Sequence, residues 1–249
     1  MVGVSDVATS CASEMSWASD SVEGWHAMTE MQPAILALLA ITAALGLLVL
    51  AVVTTTAFVK VSVVLFLVRN ALGTQTIPPN IVLYAAALIL TMFVSAPIAE
   101  QTYDRITDPR LRYQSLDDWA EAAKAGSQPL LEHLKKFTNE EQRRFFLSST
   151  EKVWPEEMRA RVTADDFAIL VPSFLISELK RAFEIGFLLY LPFIVIDLIV
   201  TTILMAMGMS MVSPTIIAVP FKLFLFVAID GWSRLMHGLV LSYTMPGAL

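Results

Sequence analysis

Two carboxylates near the end of the chain, Asp197 and Asp230, could do chemistry because they accompany long apolar runs. The runs cover residues 182–207 and 212–229, and each is about long enough to cross a hydrocarbon layer as a helix. Two close carboxylates that share a proton form the catalytic pair of aspartyl proteases. The surrounding sequences, Val-Ile-Asp-Leu-Ile and Ala-Ile-Asp-Gly-Trp, lack the glycine-flanked motif expected of an intramembrane protease.

The same carboxylates could instead relay protons or form ion pairs. An acid within an apolar helix is costly unless another group pairs with it. We therefore favour structural pairing, with Lys222, Arg234 or a neighbouring subunit as the partner. Asp230 and Arg234 also have the i,i+4 spacing that allows a pair along one helix. The proton relay stays open as the alternative.

A charged group opens the first apolar run, at what the pattern predicts to be a helix start. Its members are three or four residues apart, so they could pair within one helix at a membrane edge. Pairing between subunits, which would set the register of a ring, is equally compatible with the spacing. The group consists of Glu178, Lys180, Arg181 and Glu184.

Four of the twelve methionines fall within seven residues between the two runs. Gly208 and Pro214 break the helix around them, and small residues alternate with the methionines. Methionine is flexible and adapts to irregular surfaces, so a ring of such loops could seal a pore; packing in a core is the other interpretation. The residues are Met205, Met207, Met209 and Met211.

Other catalytic and binding patterns are missing from the sequence. His26, His133 and His237 are scattered, which is typical of surface residues, and there is no phosphate-binding loop or GxSxG motif. The single Cys11 excludes an internal disulfide and a cysteine-based metal site. A net charge of −6 argues against a nucleic-acid partner. We predict a non-enzyme without a cofactor, driven by another protein or by the proton gradient.

The composition predicts an all-α integral membrane protein. Hydrophobic residues make up 56% of the 249 residues and charged residues only 16%, against about 25% charged in a typical globular protein. Residues 31–99 contain two charged side chains, whereas residues 100–166 contain 14 acidic and 11 basic ones. The predicted parts are an acidic tail without a signal-like start (1–32), an apolar helical hairpin (33–99), a charged helical insert (100–166) and a second apolar hairpin with the methionine hinge (167–249).

The first hairpin is predicted to contain two helices joined by a stiff turn. The first helix runs from Pro33 to Val59 and continues to about residue 70, and the second runs from Pro79 to about Ile98. Glycine permits a positive φ, and the proline pair forbids helix before it. The turn residues are Asn70, Gly73, Pro78 and Pro79.

The insert is predicted to form three short helices, at Leu116–Lys124, Pro129–Phe137 and Glu140–Thr150, with Asn139 as a helix cap. The segment Lys60–Asn80 is basic without acids, and short basic loops stay in the cytoplasm. This predicts a periplasmic location for the insert.

Several long motifs resemble the FliP/SctR family, a core membrane component of the type III secretion export apparatus. They are Lys60–Asn80 (KVSVVLFLVRNALGTQTIPPN), Phe174–Lys180 (FLISELK), Ala182–Phe187 (AFEIGF), Leu191–Asp197 (LPFIVID), Met207–Met209 and Pro220–Trp232 with its Pro-Phe-Lys and Asp-Gly-Trp. The Lys-Val-Ser and Gly-Thr-Gln motifs resemble those of the injectisome-type members more than those of the flagellar members, which remain the alternative.

The resemblance implies an export gate in the bacterial inner membrane through which unfolded substrates pass. Five copies would assemble helically with a small two-helix subunit (SctS/FliQ type) and a larger one (SctT/FliR type), beside a switch-type export protein (SctU/FlhB type). It also implies that the apolar helices are largely raised out of the bilayer plane, and that the methionine hinge forms the gasket of the closed channel. Ser210 interrupts the methionine run of the family. A monomeric proton-coupled transporter is the rival, but it would need an inverted repeat, which the sequence lacks.

Overall fold

The computed structural model describes residues 35–74, 76–111, 113–209 and 211–244. The predicted acidic tail, residues 1–32, lies outside the described residues. By its contacts the chain divides into two units, Met1–Ala51 and Val52–Leu249. Helix α1 (Ile35–Thr55) forms the described part of the first unit and enters the second.

All the regular structure described in the second unit is helical, which confirms the all-α class. The helices are α2 (Phe58–Ala71), α3 (Asn80–Ile106), α4 (Leu116–Phe137), α5 (Glu140–Val153), α6 (Glu156–Arg159), α7 (Phe167–Ala206), α8 (Pro214–Ala228) and α9 (Gly231–Leu241).

In the described part of the chain, three helices are long and apolar enough to cross a membrane, namely α1, α3 and α7. Helices α8 and α9 together could form a fourth span, bent by 62°. The bend lies at Asp230, whose φ of 55° is left-handed. Gly231 follows it, and a Cβ there would meet the ring of Phe226 at 2.4 Å. The residue types around the bend therefore fix its geometry.

The sequence predicted that the first apolar helix continues to about residue 70, but the structure shows a break. Helix α1 ends at Thr55, and α2 begins at Phe58. Threonines precede the break, and Thr56 Oγ1 donates a hydrogen bond back to the Val52 carbonyl at 2.6 Å. Such bonds and β-branched side chains weaken a helix.

Helix α3 is longer than predicted, because it continues to Ile106 instead of ending near Ile98. Its last turn packs on α4 at Gly126, where a Cβ would meet the Ile106 side chain at 2.7 Å. The two helices predicted in this region form the single helix α4, which passes through Pro129. A capping box between Ser115 and Asp118 starts it, and Asn139 caps α5 as predicted.

In the second unit, helix α7 packs against α2, α4, α5 and α8, and α2 packs also against α3. Apolar side chains of α2 and α7 form the middle of the core: Val61, Val64, Leu65, Val68, Leu170 and Phe174. Close contact of α7 and α2 requires Gly186, where a Cβ would lie 2.3 Å from the Leu67 side chain. This packing brings the charged residues of α2 and α7 together.

Candidate functional site

The carboxylate of Glu178 is the centre of a buried polar cluster, which we call the Glu178 junction: Lys60, His133, Glu178, Arg181 and Tyr243. Lys60 Nζ lies 3.2 Å from Glu178 Oε2, and the two side chains are 1% and 0% exposed. Arg181 Nη1 donates to Glu178 Oε1 at 3.0 Å, and the Tyr243 hydroxyl donates to Glu178 Oε2. A carboxylate that accepts three donors, two of them cationic, is well compensated for its burial.

The Glu178 junction ties together elements that are far apart in the sequence. Arg181 Nη1 also donates to the Phe137 carbonyl at the end of α4, at 2.9 Å. Lys60 Nζ lies 3.4 Å from the centre of the Tyr243 ring, and the His133 ring stacks on that ring. The junction thus joins α2, α4, α7 and the residues after α9.

Burial shifts the titration of the groups at this junction that lie outside the candidate spans. It lowers the pKa of Lys60, although Glu178 opposes the shift. It raises the pKa of Tyr243 well above its ordinary value, and the charge of Glu178 adds to the rise. Burial also lowers the pKa of His133 to about 4. The prediction that His133 is a surface residue was wrong, because its ring packs against Phe137 and Phe174.

Acidification should destabilise the fold through His133. The unfolded chain binds a proton below its ordinary pKa of 6.5, but the folded chain does so only near pH 4. The stability that neutral His133 contributes is therefore complete above pH 6.5 and falls through this window, by at most about 3 kcal/mol. Thermal unfolding at pH 7 and pH 4.5 should show a smaller pH effect in His133→Phe than in wild type and in the exposed control His237→Gln. Equal pH effects in all three would contradict this assignment.

Asp197 and Lys222 form a second polar cluster, the Lys222 bridge. Lys222 Nζ donates to Asp197 Oδ2 at 2.6 Å and to the Ala71 carbonyl at the end of α2 at 3.1 Å. Lys222 is 4% exposed, whereas the Asp197 side chain is 43% exposed. Of the partners that the sequence left open, the structure places Lys222 at Asp197. The bridge holds α8 to α7 and α2.

The two carboxylates that suggested acid catalysis have separate surroundings. Asp230 is exposed at the bend before α9, where its Oδ1 accepts a hydrogen bond from Ser233 at 3.0 Å. Among the described residues, no hydrogen bond or ion pair joins Asp197 to Asp230, or Asp230 to the side chain of Arg234. This geometry gives no support to an acid pair that shares a proton.

The remaining charged residues of the predicted group are spread along one helix. The group does not lie at a helix start, because α7 begins at Phe167 and continues through it. Lys180 and Glu184 face each other at 4.0 Å and are about half exposed. Within the described ranges, no three His, Cys, Asp or Glu side chains are placed to hold a metal ion.

The methionine loop, residues 207–213, joins α7 to α8. Gly208 has a φ of +74°, as expected for a residue that ends a helix. The four candidate methionines are exposed by 65%, 59%, 41% and 100% in chain order: Met205, Met207, Met209 and Met211. Packing in this chain's own core is therefore not their role.

The predicted turn between α2 and α3 packs against α8. Gly73 has a φ of +78°, and a Cβ there would meet Val219 at 2.7 Å. The Asn70 carbonyl accepts a hydrogen bond from the Gly73 amide at 3.0 Å. Pro79 stands at the N-cap position of α3. On the α2 side, Arg69 Nη1 donates to the Pro78 carbonyl at 3.3 Å.

Sequence reasoning missed three of the five residues of the Glu178 junction. Lys60, His133 and Tyr243 were not connected with Glu178, because they are far from it in the sequence. A usable signal existed: Lys60 is the first charged residue after a long apolar run, so a buried partner could have been sought. Lys60 and Arg69 are also buried in α2 and do not form a loop. The predicted orientation of the chain, which depended on them, loses that support and stays a prediction.

Several helices long and apolar enough to cross a membrane, with ion pairs that join α7 to α2 and to α8, are typical of a helical membrane protein with several spans. The sequence matches the FliP family over residues 41–239, and the chain belongs to this family.

Named relatives agree with this membership. The chain is 99% identical over 222 residues to the "Probable translocation protein y4yL" of Sinorhizobium fredii, which covers 89% of this chain and 100% of that protein. It is 47% identical over 206 residues to the Yop proteins translocation protein R of Yersinia pestis, covering 83% and 95%. It is 38% identical over 211 residues to the Virulence protein YscR of Salmonella typhimurium, covering 84% and 97%. The names of these relatives confirm the resemblance to the injectisome type.

Proposed function

We propose that the chain is a core subunit of a type III secretion export gate in the bacterial inner membrane. It lines the channel through which unfolded secreted proteins cross. The observation that carries the proposal is membership of the FliP family over residues 41–239. The similarity to translocation proteins of injectisome type, at 38% and 47% identity, favours this role over a flagellar one.

The exposed apolar surface of the second unit supports an assembly. Phe187 and Leu198 on α7 are 62% and 59% exposed, and Phe224 and Val227 on α8 are 75% and 71% exposed. Such a surface needs lipid or other protein chains to cover it. We propose that further copies of the chain, five in all, cover part of it, and that the small two-helix subunit, the larger subunit and the switch-type export protein are its neighbours.

The methionine loop provides the gate in this proposal. Its methionine side chains are exposed in the single chain, and flexible thioethers from several copies could close around a narrow channel. Gly208 and Pro214 bound the loop, so that it can leave the helical path on both sides. The helices that carry the methionine loop would be held in place by the Lys222 bridge and by the charged residues Glu178, Lys180, Arg181 and Glu184.

Removing the thioethers should make the resting gate leak. In Met207→Ala/Met209→Ala/Met211→Ala, the loop keeps its backbone but loses the side chains that fill the channel. We expect uptake of a small impermeant dye by intact cells to rise several-fold above wild type. The control is Met158→Ala, which removes an exposed methionine from α6. Equal uptake in the triple variant, the control and wild type would contradict a sealing role.

A further inference from the structure

The structure leaves the buried charge of Arg69 without a counter-ion. Arg69 is 8% exposed, and no carboxylate in the described residues lies within 4 Å of it. Its Nε is buried without a hydrogen-bond partner. Guanidinium stays protonated in proteins, and an uncompensated buried charge is strongly unfavourable. An anion from outside the described residues would complete this site.

The acids of the apolar helices are already engaged elsewhere. Glu178 binds Lys60 and Arg181, Glu184 faces Lys180, and Asp197 binds Lys222. The nearest acid along α3 is twenty residues beyond its start, which is roughly 30 Å away along the helix. The missing negative charge therefore does not come from these parts of the chain.

Arg69 binds groups at the start of α3. The N-terminus of that helix is a second source of positive charge, because its first amides are free. Arg69 Nη1 donates to the Pro78 carbonyl and to Asn80 Oδ1, and its guanidinium lies 4.9 Å from the Phe66 ring centre. The first turn of α3 contains no acid, and Pro79 provides no side-chain cap. In the described structure the amides of Asn80 and Ile81 donate to no acceptor outside the helix. Free amides at a helix start attract anions.

The surroundings of this site are apolar and open. Ile77 and Ile81, which flank the two acceptors of Arg69 in the sequence, are 71% and 75% exposed. Helix α3 is long and apolar enough to cross a membrane. In a single chain that crosses the bilayer, before assembly raises the helices, its first residue would lie at the level of the lipid headgroups. An anion with apolar chains attached matches a cation flanked by exposed isoleucines.

We propose that Arg69 and the first turn of α3 bind the phosphate of an anionic phospholipid headgroup, whose acyl chains cover Ile77 and Ile81. Arg69 contributes its fixed charge and Nη2, which has no partner in the described structure. The start of α3 contributes the amides of Asn80 and Ile81. This inference does not depend on the proposed export function, because it concerns a single chain.

The test uses the full-length protein in neutral detergent micelles that contain either phosphatidylglycerol or an uncharged galactolipid with the same acyl chains. Native mass spectrometry measures the bound lipid, and thermal unfolding measures stabilisation. We expect phosphatidylglycerol to be retained and to raise the melting temperature, and the galactolipid to do neither. Inorganic phosphate alone should stabilise far less, since it has no acyl chains.

Arg69→Gln should weaken binding of phosphatidylglycerol about ten- to a hundredfold, as loss of a charge-assisted hydrogen bond predicts. Arg69→Lys should keep part of the binding, because the charge stays but the planar fork is lost. The matched control is Arg110→Gln. Arg110 is 91% exposed and lies beside Asp108, so this variant should bind phosphatidylglycerol as wild type does.

Three results would overturn the proposal. They are equal retention of both lipids by wild type, equal stabilisation by inorganic phosphate and phosphatidylglycerol, and unchanged lipid binding in Arg69→Gln. A structure of the assembled complex that shows a carboxylate of another protein chain within 4 Å of Arg69, without bound lipid, would also overturn it. If Arg69→Gln does not fold, the wild-type comparisons and Arg69→Lys still decide.

Discussion

Glu178→Gln should reduce the free energy of unfolding by about 3–5 kcal/mol, as expected when one partner of a buried ion pair is removed. Lys60 is 1% exposed and loses the one anionic partner that it has among the described residues, at 3.2 Å. Arg181 is 24% exposed and can turn towards solvent, so the penalty falls mainly on Lys60. Chemical unfolding of the purified protein in detergent, followed by circular dichroism, measures the loss.

The matched control for this variant lies on the same helix. Glu184→Gln removes a half-exposed carboxylate 4.0 Å from Lys180 and should change stability by less than about 1 kcal/mol. The double variant Lys60→Met/Glu178→Gln should recover part of the loss, because it removes the unpaired ammonium. Equal losses in Glu178→Gln and Glu184→Gln would show that the junction does not stabilise the fold.

Asp197→Ala should be more damaging than Lys222→Met, by about 2–3 kcal/mol. The first leaves an ammonium that is 4% exposed, and the Ala71 carbonyl is then its one acceptor among the residues that the structure describes. The second leaves a carboxylate that is 43% exposed and can be hydrated. The double variant should resemble Lys222→Met. Unfolding in detergent measures the three stabilities.

The same variants separate pairing within the chain from pairing between subunits. If Asp197 acts through Lys222 to place α8, both single variants should reduce the yield of oligomers on native gels. If Asp197 instead binds a neighbouring copy, Lys222→Met should keep its oligomers and Asp197→Ala should lose them. Lys124→Met, which removes an exposed lysine from α4, is the control and should assemble normally.

Much of the fold could be predicted from local signals in the sequence. Apolar runs locate the long helices, the proline pair at 78–79 locates the turn, and Asn139 marks the start of α5. Boundaries failed where tertiary contacts outweigh the local pattern. Helix α3 continues because Ile106 packs on α4, and α4 passes through a proline that local rules would place at a boundary.

The polar clusters were predicted less well because they depend on contacts across the sequence. The i,i+3 pair of Glu178 and Arg181 is visible in the sequence. The contacts of Glu178 with Lys60 and Tyr243 join residues that only the packed helices bring together. Lys222 was one of three partners considered for Asp197, and no local rule selects among them. Asp230 follows a long apolar run but is exposed, so an apolar sequence beside an acid does not imply that the acid is buried.

Native mass spectrometry of the full-length chain, co-expressed with its neighbouring secretion subunits, tests the export-gate assignment most directly. We predict one complex that contains several copies of this chain, five in the proposed assembly, together with the small two-helix subunit and the larger subunit. A folded chain that stays at the mass of a single copy in the presence of those subunits would contradict the assignment and favour a monomeric transporter.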